Sequence, residues 1–175
     1  MVKKTAYLGL FSAIAIIFGY VESLLPIFIG LPGIKLGLAN LAVLFLLERY
    51  TFREASIVSV IRILVIGFLF GNMFSIIYSL SGAALSLACM TFMKAKTDFS
   101  PIGISVVGGV THNIGQLLAA MLIVKNGSLI YYAPALLIFG VITGVLIGLL
   151  TTEILRRLPS KYTSDATKKG ITNDH

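Results

Sequence analysis

An arginine, a histidine and four side-chain amides stand in stretches of this sequence that are otherwise apolar. Arg62 falls near the middle of residues 55–71, a run interrupted by no other charged side chain. An ionised guanidinium at the centre of a lipid-facing helix costs roughly 2.5–3.5 kcal/mol even on the mildest insertion scale, so it persists only where it faces protein, water or a ligand. Glu22, Lys35, His112, Asn40, Asn72, Asn113 and Gln116 lie in or at the edges of the other apolar runs. Such groups bind: cations neutralise anionic partners, while a neutral imidazole and amides both donate and accept hydrogen bonds. Catalysis finds little support. The three aspartates, Asp98, Asp165 and Asp174, all fall outside the apolar runs, and the chain has no P-loop, paired carboxylates, CxxC or nucleophile elbow. The expectation is a binding protein with no enzymatic activity of its own and no cofactor.

The polar residues occur in clusters. Gly108-Gly-Val-Thr-His-Asn-Ile-Gly-Gln116 is the densest. His112 and Gln116 are four apart and share a helix face, and the glycines beside them leave room for a ligand or for another backbone. Interhelical hydrogen bonding and ligand contact both suit this pair. A metal site would need further His, Cys or carboxylate groups at the same depth, where only Glu22 comes near to qualifying. Gly30-Leu-Pro-Gly-Ile-Lys-Leu-Gly-Leu-Ala-Asn40 predicts an irregular lead into a helix, with Lys35 just inside it and Gly37 thinning the wall beside it. Lys35 either snorkels to the membrane interface or stands as a cation at the mouth of a pocket. Arg62 needs a partner, and Glu22, Asn40, backbone carbonyls and an anionic ligand are all candidates. Its role is a helix-to-helix anchor, a ligand contact, or both.

These residues have to be positioned by membrane-length helices. The chain has 175 residues, of which 57% are hydrophobic and 12% charged, with no Trp. Soluble domains average about 25% charged residues, and the mean hydropathy here is +0.97. A spanning helix needs about 17–25 apolar residues. Six spans are expected, over about 5–24, 33–48, 54–71, 73–93, 101–124 and 131–156, with only Gly71-Asn72 between the third and fourth. The first run is too long for a cleavable signal. Of the loop Lys and Arg residues, eleven fall on the side of the N-terminus and two, Lys35 and Lys125, on the other. That bias sets both termini in the cytoplasm and accounts for the net charge of +7 without a nucleic-acid partner.

The fold class expected is an all-α integral membrane protein: a bundle of six transmembrane helices over residues 1–158, followed by a polar, disordered tail over 159–175. Gly140, Gly144 and Gly148 form a small-residue stripe suited to close helix packing. The first helix has weaker versions, with Gly9 and Ala13 on one face and Ala15 and Gly19 on another, suited to internal packing or to a partner. The lone Cys89 is expected to be inert packing.

Leu31-Pro-Gly-Ile-Lys-Leu-Gly-Leu-Ala-Asn-Leu41, Arg62 followed by Phe70-Gly-Asn72, and Thr111-His-Asn-Ile-Gly-Gln-Leu117 together resemble a small bacterial membrane family. It is labelled either Gx transporter or heptaprenyl diphosphate synthase component I, and the resemblance covers roughly residues 4–158. That family looks related to the substrate-capture subunits, or S components, of energy-coupling factor transporters. The resemblance implies a six-helix protein of the bacterial plasma membrane that binds a small solute and works with a membrane coupling subunit and two ATPases. Docking in those proteins uses an AxxxA pattern on the first helix, and the nearest match here is Gly9-Leu-Phe-Ser-Ala13. The synthase label conflicts with the residues, because prenyl diphosphate synthases hold Mg²⁺–diphosphate through aspartate-rich motifs and none is present. The family's association with quinone, isoprenoid and flavin-linked electron transfer points to an amphipathic or aromatic substrate.

The reading that joins these features is an uptake component for a small anionic or amphipathic solute. Lys35 would attract it, Arg62 would neutralise its charge, and Asn40, Asn72, His112, Asn113 and Gln116 would hydrogen-bond to it. The alternative is a non-catalytic membrane accessory subunit of isoprenoid or quinone biosynthesis, partnered by a soluble prenyl synthase. A third possibility is a structural scaffold in a membrane electron-transfer system.

Overall fold

The computed structural model describes residues 2–24 and 37–157, which are helical apart from short connections. The helices are α1 (Val2–Leu24), α2 (Leu38–Arg49), α3 (Phe52–Phe70), α4 (Met73–Lys96), α5 (Pro101–Val124) and α6 (Ala133–Arg157), with a short 3-10 turn over Gly127–Tyr132 ahead of α6. No strand occurs among the described residues. Local chemistry sets several of the ends. Thr51 donates its N–H to the Glu54 carboxylate (3.1 Å) at the start of α3, a capping box. Asn72 caps α4 by accepting the Ser75 N–H (2.8 Å). Ser100 does the same for α5 through Gly103, with Pro101 in the first turn, where its missing N–H costs nothing. Lys125 closes α5 in a left-handed conformation.

Four helical stretches are long and apolar enough to cross a membrane: 6–24, α4, α5 and the run 127–157. Their outer faces carry large apolar side chains in the open, among them Leu122 (77% exposed), Ile138 (60%) and Ile17 (57%). Such faces suit lipid and point to a membrane protein. Of the other two helices, α3 keeps nearly the expected bounds and α2 does not. α3 carries Arg53, Glu54 and Arg62 in its 19 residues. α2 has 12 residues, about 18 Å of helix, against a hydrocarbon core of about 30 Å. The expected start of α2 is near residue 33. Residues 33–36 lie outside the described residues, as do Lys35 and the tail over 159–175, but Gly37 is not helical. It stands before α2 with φ at 75°, a conformation that favours glycine, so Gly37 introduces the helix instead of thinning its wall.

Length is traded for burial in α2. Ala39 and every residue from Ala42 to Leu47 are buried, and most of these join the main core with Ala15, Ala55, Val58, Leu87, Met90, Ile104 and Ile147. Its ends are held by side chains from elsewhere. The Glu22 carboxylate of α1 accepts the Gly37 N–H. At the other end Lys94 of α4 donates to the Leu47 and Glu48 carbonyls (2.5 and 3.1 Å) and pairs with the Glu48 carboxylate (3.2 Å). Arg49 ties the same end to α6 through the Leu155 carbonyl (2.7 Å). An anion at the N-terminus and cations at the C-terminus both match the helix dipole.

The α5 helix packs on two neighbours through glycines. A methyl group on Gly144 would lie 2.6 Å from Val106 Cα, one on Gly148 2.6 Å from Ile102 Cα, and one on Gly140 3.0 Å from Val110 Cα. The stripe on α6 is thus consumed by α5. On its other side α5 meets α4, where a methyl group on Gly115 would lie 2.8 Å from the Ser81 carbonyl and one on Gly82 2.9 Å from that of His112. The two small-residue faces of α1 separate: Ala15 and Gly19 are buried, Gly19 against Ile66 of α3, while Gly9 and Ala13 are exposed. Gly144→Val should force α5 and α6 apart and cost about 1–3 kcal/mol, read as a lower thermal midpoint in detergent. Gly9→Val, where nothing lies within 4 Å, should leave the midpoint unchanged.

Candidate functional site

Because consecutive helices run antiparallel, the ends of α1, α3 and α5 and the starts of α2, α4 and α6 share one end of the bundle. A cavity of about 140 Å³ lies toward that end, and all six helices contribute to its wall. The volume is several times the roughly 10–15 Å³ that a single buried water needs. Five of the residues expected to bind a ligand line it together: Asn40, Arg62, His112, Asn113 and Gln116. Residues 22 positions or more apart in sequence therefore meet at one place.

Arg62 is the centre of the arrangement. One terminal nitrogen, Nη2, donates to Asn40 Oδ1 (3.2 Å) in the first turn of α2. Nε is buried and has no hydrogen-bond partner among the described residues. The Glu22 carboxylate lies within electrostatic reach of the guanidinium and is itself only 7% exposed. The cavity wall thus brings one carboxylate and one guanidinium to neighbouring positions, and the carboxylate is already committed to the start of α2. Leaving a buried donor unpaired costs about 1–3 kcal/mol, more for a charged group, but Nε has no surface open to the cavity, so an acceptor there meets the guanidinium at its terminal nitrogens.

The α5 residues are arranged by the glycine contacts. Gly82 of α4 allows the His112 ring and the Gln116 side chain to lie against it, the hypothetical methyl group falling 3.1 Å from His112 Cε1 and 2.7 Å from Gln116 Cγ. Gln116 is 3% exposed. Asn113 turns to α6 and donates to the Leu136 carbonyl (2.7 Å), so part of its hydrogen-bonding capacity is spent on the bundle. The room that glycines leave in this motif is filled by the backbones of α4 and α6, and the cavity lies beside it.

Three positions fall elsewhere. Asn72 does not line the cavity: its side-chain oxygen is engaged by the Ser75 N–H, which makes it a helix cap. Lys35 is outside the described residues. Gly9 and Ala13 sit on the exposed outer face of α1, away from the cavity. Ser23, Ser75, Ser79 and Thr143 also line the wall and give no signal of their own in the sequence. A hydroxyl in an apolar helix is inexpensive because it can bond its own backbone, as Thr143 does to the Phe139 carbonyl (2.8 Å). Glu22, weighed from sequence as a partner for Arg62 and not among the expected ligand contacts, is a wall residue too. Among the described residues no three His, Cys, Asp or Glu side chains gather in a way that would hold a metal ion.

The family described as heptaprenyl diphosphate synthase component I matches residues 11–154, from the first half of α1 to the last turn of α6. The chain belongs to that family. The match takes in every residue of the cavity wall. No curated protein and no solved structure matches the chain.

Cap and site residues should respond differently to substitution. Asn72→Ala should lower stability by about 0.5–2 kcal/mol, the usual cost of a lost N-cap, while Asn40→Leu should cost about 1.5–3 kcal/mol by removing a hydrogen bond to a charged group. Thermal unfolding in detergent measures both. A double-mutant cycle pairing Asn40→Leu with Arg62→Met should show coupling, and one pairing Asn72→Ala with Arg62→Met should show none.

Proposed function

We propose that this chain is a non-catalytic membrane component that holds a small anionic or amphipathic molecule in the Arg62 cavity, as an accessory subunit of a prenyl diphosphate synthase in isoprenoid or quinone biosynthesis. The observation that carries the binding role is Arg62 lining one cavity together with Asn40, His112 and Gln116. An anionic oxygen there forms a charge-assisted hydrogen bond, about twice as strong as a neutral one. Asn40, His112 and Gln116 line the same space and suit the remaining polar atoms. The family description favours the synthase setting over solute uptake, since a component of such an enzyme works beside a catalytic chain. Diphosphate is the anion common to that chemistry, and the partner would supply the aspartate-rich motifs that this chain lacks.

In this reading the six helices of residues 1–158 form the domain embedded in the bacterial plasma membrane, with the buried α2 sheltered by its neighbours. Both termini lie in the cytoplasm and 159–175 forms a tail. Support comes from the gathering of Arg49, Arg53, Lys94, Lys96, Arg156 and Arg157 at one end of the helices, the pattern of a cytoplasmic face.

A second reading, uptake of a small solute with a coupling subunit and two ATPases, is favoured by one observation. The cavity lies toward the end of the bundle away from the start of α1 and the end of α6, and Lys94 and Arg49 tie helices together at the opposite end. Lys35 would then stand near the cavity mouth, and Gly9 and Ala13, exposed on α1, would face the coupling subunit.

Affinity purification from native membranes separates the two: a co-purifying prenyl synthase supports the accessory role, and co-purifying ATPases with a coupling subunit support uptake. Diphosphates, quinone precursors, flavins and vitamins should be titrated against the purified protein. For any ligand that binds, Arg62→Ala and His112→Ala should weaken affinity about ten-fold or more, and unchanged affinity in both variants would refute the site.

A further inference from the structure

Deeper in the bundle lies a second cavity of about 40 Å³. Asn40 and His112 belong to the walls of both, together with Gly37, Gly109 and Thr143, so these two side chains stand at the junction. The chemistry changes across it. The outer cavity holds the charged groups, Arg62 and Glu22. The inner one is lined by no charged side chain; its wall is mainly apolar, with Val43, Leu87, Met90 and Ile147, and includes three serines. Ser86 donates to the Gly108 carbonyl (2.9 Å). Ser59 and Ser105 are 2% and 5% exposed and form no hydrogen bond among the described residues. By contrast, the hydroxyls of Thr111, Thr143 and Thr152 fold back on the carbonyl four residues earlier. Two buried hydroxyls are thus available to whatever enters the inner cavity.

We infer that the two cavities form a single two-part site for a short amphipathic anion, an inference that rests on the binding role proposed above. The anionic group lies against Arg62. A compact, uncharged body passes between Asn40 and His112 into the inner cavity, where apolar walls cover most of it and Ser59 and Ser105 offer hydrogen bonds. Size sets the class. The outer cavity is close to the roughly 150 Å³ of an apolar cavity that takes up one benzene molecule, and the inner one adds room for a few more heavy atoms. A short-chain alkenyl diphosphate of one isoprene unit fits this division of head and body, whereas a seven-unit prenyl chain far exceeds it. Ser59 and Ala83, a small residue on the inner wall, are then specificity-determining residues.

Inorganic diphosphate and isopentenyl diphosphate should be titrated against the full chain in lipid nanodiscs. Isopentenyl diphosphate should bind at least ten-fold tighter than inorganic diphosphate. Ala83→Leu, which fills the inner cavity, should abolish that difference while leaving the affinity for inorganic diphosphate unchanged. Ser59→Ala, which removes the hydroxyl and adds no bulk, provides a second test if Ala83→Leu does not fold, and it should reduce the difference at least three-fold. A difference retained in both folded variants overturns the two-part site while leaving the Arg62 site standing. Farnesyl diphosphate should displace isopentenyl diphosphate more weakly than unlabelled isopentenyl diphosphate does; equal or stronger displacement overturns the size limit. Arg62→Gln should weaken both phosphates, and either no effect there or no binding of either compound to the wild type overturns the binding role itself.

Discussion

A helix of twelve residues buried among apolar neighbours has a problem at each end. Its first N–H groups and last carbonyls have no partner within the helix, and neither lipid nor a packed core offers one. Here α1 supplies a carboxylate to one end of α2 and α4 supplies an ammonium to the other, through Glu22 and Lys94. Those two contacts fix the height of α2 in the bundle. Fixing that height puts Asn40 opposite Arg62, and with it the floor of the cavity. The location of the polar site is therefore a consequence of how one short helix is terminated.

The two halves of the molecule are built on different principles. The α4, α5 and α6 helices pack backbone to backbone through glycines, leaving little space between them. On the α1–α3 side Arg62, Glu22 and Asn40 gather around space that is not filled. His112 and Gln116 project from the tightly packed half, and Arg62 from the open one. A ligand between them would contact both, so its affinity would depend on how closely the halves approach one another. The family match spans both halves.

Much of this was legible in the sequence, for identifiable reasons. An arginine, a histidine and amides within apolar runs are costly unless they face inward, so their gathering could be anticipated without knowing the contacts. The start of α5 falls at residue 101, where it was expected, and Gly71-Asn72 marked the α3–α4 turn. Asn72 misled because an amide at the start of an apolar run reads equally as a ligand contact and as a cap, and the Ser75 N–H decides for the cap. The start of α2 was placed too early because a span-length rule presumes that every apolar segment crosses a bilayer alone. Gly37 in a left-handed conformation and the burial of residues 42–47 reflect tertiary packing that such a rule does not contain. The serines of the two cavities left no trace in hydropathy, and their roles came from the structure alone.

The brevity of α2 also constrains how this protein can be made. A segment too short to cross the hydrocarbon core, with polar groups at both ends, has no stable resting place in lipid by itself. The glycine-lined α5–α6 pair, close in sequence and complementary in shape, can associate as soon as both helices have been inserted. By contrast, α2 becomes tolerable to the bilayer only when Glu22 and Lys94 are both present to receive it. Lys94 lies forty-five residues after Arg49, so in the membrane setting proposed above α2 gains the partner for its second end only once the end of α4 has been made.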